Sequence, residues 1–280
     1  MKLVRIGPKG AEKPALATET GFADLSSIVS DITPETLGDL PAKLKDVDPA
    51  GLPQLEAGRF GSPIARTGHF IAIGLNYADH AEESGMPIPA EPVVFSKAPS
   101  SLCGPNDDVL LPPGSEKSDW EVELAVVIGR QADHVSQAEA LDHVFGYMIC
   151  NDVSERAWQL EGTGQWIKGK SAPTFGPVGP YLVTADELGD PQTLDMFLDV
   201  NGKRCQTGNT RTMIFAVDEI IAYLSRHMVL MPGDVITTGT PPGVGMGMKP
   251  QTFLKDGDEM RLGISGLGEQ TQRVVRRKPG

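Results

Sequence analysis

Along most of the chain, short apolar runs alternate with clusters of Gly, Pro, Asn and Asp, a texture that predicts many strands and few helices. One run organises the rest: Asp119-Trp120-Glu121-Val122-Glu123 leads straight into Leu124-Ala125-Val126-Val127-Ile128 and stops at Gly129. Side chains alternate along a strand, so Glu121 and Glu123 share a face with Ala125 and Val127, while Leu124, Val126 and Ile128 fill the other. The Cα atoms of the two acids would stand roughly 6.5–7 Å apart at a rise of about 3.3 Å per residue, so both carboxylates can grip one cation. An isolated Glu-x-Glu equally describes a solvated sheet face. Here the strand is apolar on both faces beyond the acids, which predicts burial. Paired carboxylates are not cheaply buried ionised without a counter-charge.

The other segments fall around this strand. Residues 3–6 and 14–17 flank Gly7-Pro-Lys-Gly10 as a hairpin, and Thr33-Pro34 predicts a helix start with Thr33 as N-cap. After Gly51-Leu-Pro53 and Gly61-Ser-Pro63 the texture changes, which sets a boundary near Arg66 between a small module (1–65) and a larger unit (66–280). Phe70–Gly74 predicts a buried strand, and 76–85 a short polar helix that Gly85-Met-Pro87-Ile-Pro89 ends abruptly, as suits a mobile lid. His80 and Glu83, three apart, share a helix face, so one can orient the other or share its proton. An exposed helix whose histidine does nothing fits the same spacing. Val93–Lys97 and Val109–Leu111 predict strands, 138–145 a helix, and 146–150 a strand ending on Asn151-Asp152, which puts a third acid at a strand end. A helix capped by Ser154 would then carry Arg156 and Gln159 on one face near Asp152, although a turn or capping role for Asp152 is the competing reading. A hairpin at Asn201-Gly202, a helix over 217–227 with an apolar stripe, a strand at 235–238 and a last hairpin through Gly257 and Gly266 complete the pattern. Together they predict an α+β fold with a mixed, largely antiparallel sheet.

Composition narrows the function. A net charge of -12, with no basic cluster except Arg276-Arg277-Lys278, argues against nucleic acid or an anionic membrane as partner and favours small-molecule chemistry. Cys103, Cys150 and Cys205 lie far apart without a Cys-x-x-Cys, so neither a disulfide framework nor a thiolate zinc site is expected. The first residues lack the apolar core of a signal peptide and no run approaches the ~20 apolar residues of a membrane helix, so a cytoplasmic location is expected. Gly164-Gln-Trp-Ile-Lys-Gly169-Lys170-Ser171 spells a P-loop, but it follows a helical stretch and runs into Pro173, which excludes nucleotide binding there. The glycine-rich 238–247 meets Lys249-Pro250 where a dinucleotide loop would open a helix, and predicts instead a backbone-lined loop for a carboxylate.

Five segments, in order across about residues 66–280, resemble the fumarylacetoacetate hydrolase family. They are Gly74-Leu-Asn76-Tyr77-x-x-His80, Asp119-Trp120-Glu121-x-Glu123-Leu124, Asn151-Asp152-Val-Ser-x-Arg156, Gly169-Lys170-Ser171, and Pro232-Gly233-Asp234 through Gly239-Thr240-Pro241-Pro242-Gly243. The resemblance implies a β-sandwich roll paired as a homodimer, with Mg²⁺ or Mn²⁺ held by Glu121, Glu123 and Asp152. An all-oxygen ligand set agrees with such a hard cation. It further implies that a small 2-oxo acid binds at the metal, that His80 and Glu83 activate a water, and that Lys170 offsets oxyanion charge as the C3–C4 bond of a 2,4-diketo acid breaks to leave the enolate of pyruvate. Arg156, Gln159 and Thr240 would bind substrate, and Tyr77 would either donate to a substrate oxygen or pack in the core. Pro173 stands where many relatives carry an acid beside the lysine, which leaves the pose of Lys170 open. The leading module is similar to that of members acting on 2,4-diketo-3-deoxy sugar acids (L-rhamnonate or L-fuconate), with acylpyruvate hydrolysis close behind. Oxaloacetate decarboxylation or tautomerisation and 2-oxo acid hydration use the same scaffold. A non-catalytic small-acid binding protein is the rival from another class, against which the joint presence of His80, Glu83 and Lys170 speaks.

Overall fold

The structure, a computed structural model, describes residues 1–83 and 87–278, without the side chain of His80. Val122–Ile128 is buried along its length and pairs antiparallel with Val144–Asn151 on one side and Val235–Thr237 on the other. Beyond Val235–Thr237 come Phe70–Gly74, running parallel to it, and the edge strand Val93–Lys97. On the opposite side Gly176–Thr184 follows, then Lys2–Ile6, Lys13–Ala17, Phe22–Asp24 and Gln54–Leu55. With Leu102–Cys103 beside Gly176–Thr184, the sheet has eleven strands among the described residues. The leading segment thus extends the central sheet, through the pairing of Leu3 with Leu182.

A second sheet runs in the order Lys203–Asn209, Asp195–Val200, Glu259–Ile264, Gly268–Arg276, Val109–Leu111. Its first hairpin turns at Asn201 and Gly202, with φ of 50° and 74°, the two left-handed positions that an Asn-Gly turn supplies. The two sheets form a sandwich, and the fold is α+β as the patterning predicts. Leu124, Val126 and Ile128 meet Leu198, Met260 and Leu262 of the second sheet, with Ile220 and Leu224 of the helix Val217–Ser225 alongside. Ala125 and Val127, with Phe70, Met148 and Cys150, pack on the other side against Leu25, Ile32, Leu37 and Leu40 of the leading segment. Burying each such side chain contributes about 1.5–3 kcal/mol, so both faces are held. Glu123 continues the row of Ala125 and Val127 beyond this cover, and that position makes it part of a site.

Three local expectations need correction. Residues 138–145 are not one helix: Gln137–Ala140 and a 3₁₀ turn, Leu141–His143, give way at Val144 to the strand that pairs with Ile128. A β-branched valine followed by an aromatic favours the strand there. Ser154 is not an N-cap, because Ser154–Glu155 pairs with Ser118–Asp119 and Glu155 caps the helix Arg156–Leu160 by accepting from the Ala157 N–H. The acidic strand is also interrupted, with Trp120 and Glu121 between Ser118–Asp119 and Val122–Ile128. The cap at Thr33 before Pro34–Leu37 forms as expected, and all three cysteines are free. No helix among the described residues is long and apolar enough to cross a membrane.

Candidate active site

Glu121, Glu123 and Asp152 are buried together, and one carboxylate oxygen of each lies within 4.8 Å of the others. Three buried cations surround them. Arg156 Nη2 donates to Glu121 Oε1 at 2.6 Å, and Lys170 Nζ bridges Glu121 Oε2 at 2.7 Å and Asp152 Oδ2 at 2.6 Å. Lys97 Nζ donates to Asp152 Oδ1 at 2.5 Å and to the Lys170 carbonyl at 2.6 Å. Among the described residues, Glu123 accepts only a backbone N–H, that of Gly239 at 2.9 Å, through Oε2.

This distribution splits the acids. Burial alone would raise the Glu121 carboxyl, but Arg156 and Lys170 outweigh it and hold Glu121 down at about 2. Glu123 is pushed well above the usual carboxylate range, first by burial and then by the charges of Asp152 and Glu121. Lys170 stays cationic, because Asp152 and Glu121 overcome the burial that would neutralise it.

The neighbouring sequence explains each pose. Lys170 ends the helical turn Ile167–Lys170, and its pose owes nothing to an acid at position 173. Before it, Gly169 lies so close to the helix Arg156–Leu160 that a Cβ would stand 2.5 Å from the Glu155 carbonyl and 2.6 Å from the Gln159 nitrogen. After it, Ser171 Oγ accepts from the Ala98 N–H at 2.8 Å and ties the turn to the edge strand. Gly169-Lys170-Ser171 is therefore a packing point, a cation and a tether. Arg156 is fixed by Asp119, which accepts its Nε at 2.9 Å, and by Gln159 Oε1, which accepts Nη1 at 3.0 Å.

The glycine-rich loop does bind carboxylates, but they are the protein's own. Its N–H groups donate to Glu123 from Gly239, to Glu83 from Gly243, and to Asp119 from Gly245 at 2.7 Å and Met246 at 3.0 Å. Thr240 lines the cavity, its hydroxyl donating to the Val122 carbonyl and accepting from Gln206. Tyr77 lies in the core with its hydroxyl on the Met196 sulfur at 3.3 Å and is not among the residues that line the cavity. Glu83 ends the helix Ala78–Glu83 and docks it on Gly243. His80 lies on that helix, and its side chain, like residues 84–86 of the expected lid, falls outside the described residues. The sequence reading missed Lys97 and Asp119. Lys97 shares a strand face with Phe95, so its inward direction follows from alternation once Val93–Lys97 is read as a strand.

The acids face a cavity of about 100 Å³, also lined by Arg156, Gln159, Lys170 and Thr240. All the converging ligand atoms are oxygens, and the raised Glu123 carboxyl marks a shortfall of positive charge despite three nearby cations. A hard divalent cation supplies that charge, so the residues present fit one.

Such a triad at the end of a mixed sandwich defines a metal-dependent hydrolase or isomerase scaffold. Residues 69–275 match the family described as fumarylacetoacetate (FAA) hydrolase C-terminal, and the chain belongs to the fumarylacetoacetate hydrolase family. A Burkholderia orbicola (strain MC0-3) relative, whose name goes no further than a presumed hydrolase, is 58% identical over 278 residues, covering 98% of this chain and 99% of its own. Maleylpyruvate hydrolase from Sphingobium sp. SYK-6, solved with manganese(II) and pyruvate, superposes with a TM-score of 0.83 at 31% identity, over 99% of this chain and 100% of that one. A probable 2-hydroxyhepta-2,4-diene-1,7-dioate isomerase from Mycobacterium abscessus gives a TM-score of 0.85 at 33% identity, over 100% of both chains.

Proposed function

We propose that the protein hydrolyses the C–C bond of a 2,4-diketo acid, giving pyruvate and a second carboxylic acid. The observation that carries this reading is the buried triad of Glu121, Glu123 and Asp152 with Lys170 Nζ within 2.7 Å of two of its members. Mg²⁺ or Mn²⁺ held by the triad would supply Lewis-acid stabilisation of charge developing on the 2-oxo oxygen. Gln159 Nε2, whose amide is oriented by Arg156, donates to the substrate carboxylate. His80, oriented by Glu83, takes a proton from water as the water oxygen adds to C4. The C3–C4 bond then breaks, its electron pair passing to C3 as the enolate of pyruvate. C4 leaves as the new carboxylic acid, and C3 takes up a proton. Lys170, held cationic, offsets the enolate charge. The reading includes a homodimer in the cytoplasm, and a module of residues 1–65 serving a catalytic unit of residues 66–280.

Similarity to the Mycobacterium abscessus isomerase favours a second reading, proton transfer within an unsaturated 2-oxo acid, which needs the same enolate. A panel of 2,4-diketo acids assayed for pyruvate release, with and without chelator, separates the two. Chelator-sensitive release supports hydrolysis. Isomerisation of a dienoate without pyruvate from any diketo acid would overturn it.

A further inference from the structure

We infer that the substrate is a mono-acid with an apolar acyl end, and that Trp166 is the residue that reads this end. The inference rests on the diketo-acid reading above and deepens it. Away from the acids, the cavity wall is Ile73, Leu75, Phe95, Leu160, Trp166 and Met246. The cations on the wall are already committed. Arg156 is shared among Asp119, Glu121 and Gln159, and Lys170 between Glu121 and Asp152. The Thr240 hydroxyl is taken by the Val122 carbonyl and Gln206. Among the described lining residues, Gln159 Nε2 and the Trp166 indole N–H are the side-chain donors without a protein partner, and both cations lie at the acid end, engaged by acids, with none beside the apolar wall to meet a second carboxylate.

Trp166 is built into this wall. Its ring lies over Gly74 so closely that a Cβ there would stand 2.5 Å from Trp166 Cζ3, and it meets Phe95 edge-on, centroids 5.2 Å apart at 62°. Two rings locked in this way present a rigid apolar surface with little rotamer freedom to lose on binding. A sugar-acid chain laid on it would bury more hydroxyls than the one indole N–H can serve, each unpartnered one lowering affinity by roughly 5- to 150-fold, and a second carboxylate would fare worse. An unsubstituted acyl chain loses nothing there.

The test measures pyruvate release by the Mn²⁺-loaded protein from 2,4-dioxoheptanoate, its 5,6-dihydroxy analogue and maleylpyruvate, for the natural chain, Trp166→Ala and Trp166→Phe. The expected kcat/KM for 2,4-dioxoheptanoate exceeds the other two by about tenfold or more, since one unpartnered polar group already accounts for that. Trp166→Ala raises KM for this acid about 10- to 100-fold with kcat little changed, the loss expected for a large apolar contact, and Trp166→Phe restores most of it. A preference for maleylpyruvate or the dihydroxy acid, or equal KM effects of Trp166→Ala on all three, overturns the inference and leaves the diketo-acid reading standing. Pyruvate from none of the three overturns both.

Discussion

Lys97→Met removes one ammonium group and keeps most of the side-chain volume. Lys97 is 1% exposed, and its Nζ serves Asp152 Oδ1, the Lys170 carbonyl and, at 3.4 Å, the Val153 carbonyl. Removing one partner of a buried ion pair typically costs about 3–5 kcal/mol, because the other charge stays buried. Asp152 keeps Lys170, which places the loss toward the lower end, but the Lys170 carbonyl is orphaned at about 1–3 kcal/mol. A total of about 4–6 kcal/mol, at roughly 2–4 °C per kcal/mol, lowers Tm by roughly 8–24 °C. Urea unfolding and thermal melts of the metal-free protein measure this directly. Mn²⁺ should then raise Tm more in the variant than in the natural chain, since the ion returns positive charge to Asp152. A loss below about 1 kcal/mol, the scale of a solvent-exposed pair, would refute the buried bridge.

Gly169→Ala inserts a methyl 2.5 Å from a backbone carbonyl where ordinary contact begins at 3.4 Å, so Lys170 must move by about the difference, 0.9 Å. Turnover should fall on the order of 100-fold, with a lower Tm; unchanged values for both would contradict the packing. Because burial, Asp152 and Glu121 push the Glu123 carboxyl up, Mn²⁺ must compete with protons for it. Calorimetry in two buffers of different ionisation heat should show proton release on Mn²⁺ binding and affinity rising with pH, whereas no release would contradict the assignment. In the metal-free protein the Glu123 contribution to stability is present below 4.5 and lost as pH rises through its raised value, while that of Glu121 is present above 4.5 and lost as pH falls toward about 2. These two carboxyls therefore favour the fold most in mildly acidic solution, which a pH series of melts checks. Tyr77→Phe should leave kcat/KM within about threefold, since among the described residues the hydroxyl meets only Met196; a hundredfold loss, the scale of a lost catalytic proton donor, would place the Tyr77 hydroxyl in the reaction.

The sequence was legible where chemistry and periodicity coincide. Glu121 and Glu123 on an apolar strand and Asp152 at a strand end were readable from alternation alone, and they do converge. Lys97 was not singled out, because a lysine closing an edge strand commonly serves as a guard against aggregation. The loop around Gly239 to Met246 announced carboxylates without saying whose, since the choice between substrate and Glu123, Glu83 or Asp119 depends on contacts over a hundred residues apart. Trp166 sits in the stretch that spells a P-loop, and only the approach to Gly74 gives it a place on the cavity wall. The attachment of the leading strands to Gly176–Thr184 is likewise a long-range pairing with no local signal.

Hydrolysis at a metal-held 2,4-diketo acid is tested most directly by running the Mn²⁺-loaded protein in ¹⁸O-labelled water with 2,4-dioxoheptanoate. The account predicts one pyruvate per turnover, one ¹⁸O atom in the butyrate formed and none transferred to the pyruvate carboxylate by the reaction, with all release lost in Glu123→Ala. Products without ¹⁸O in the butyrate, or undiminished release by Glu123→Ala, would contradict it.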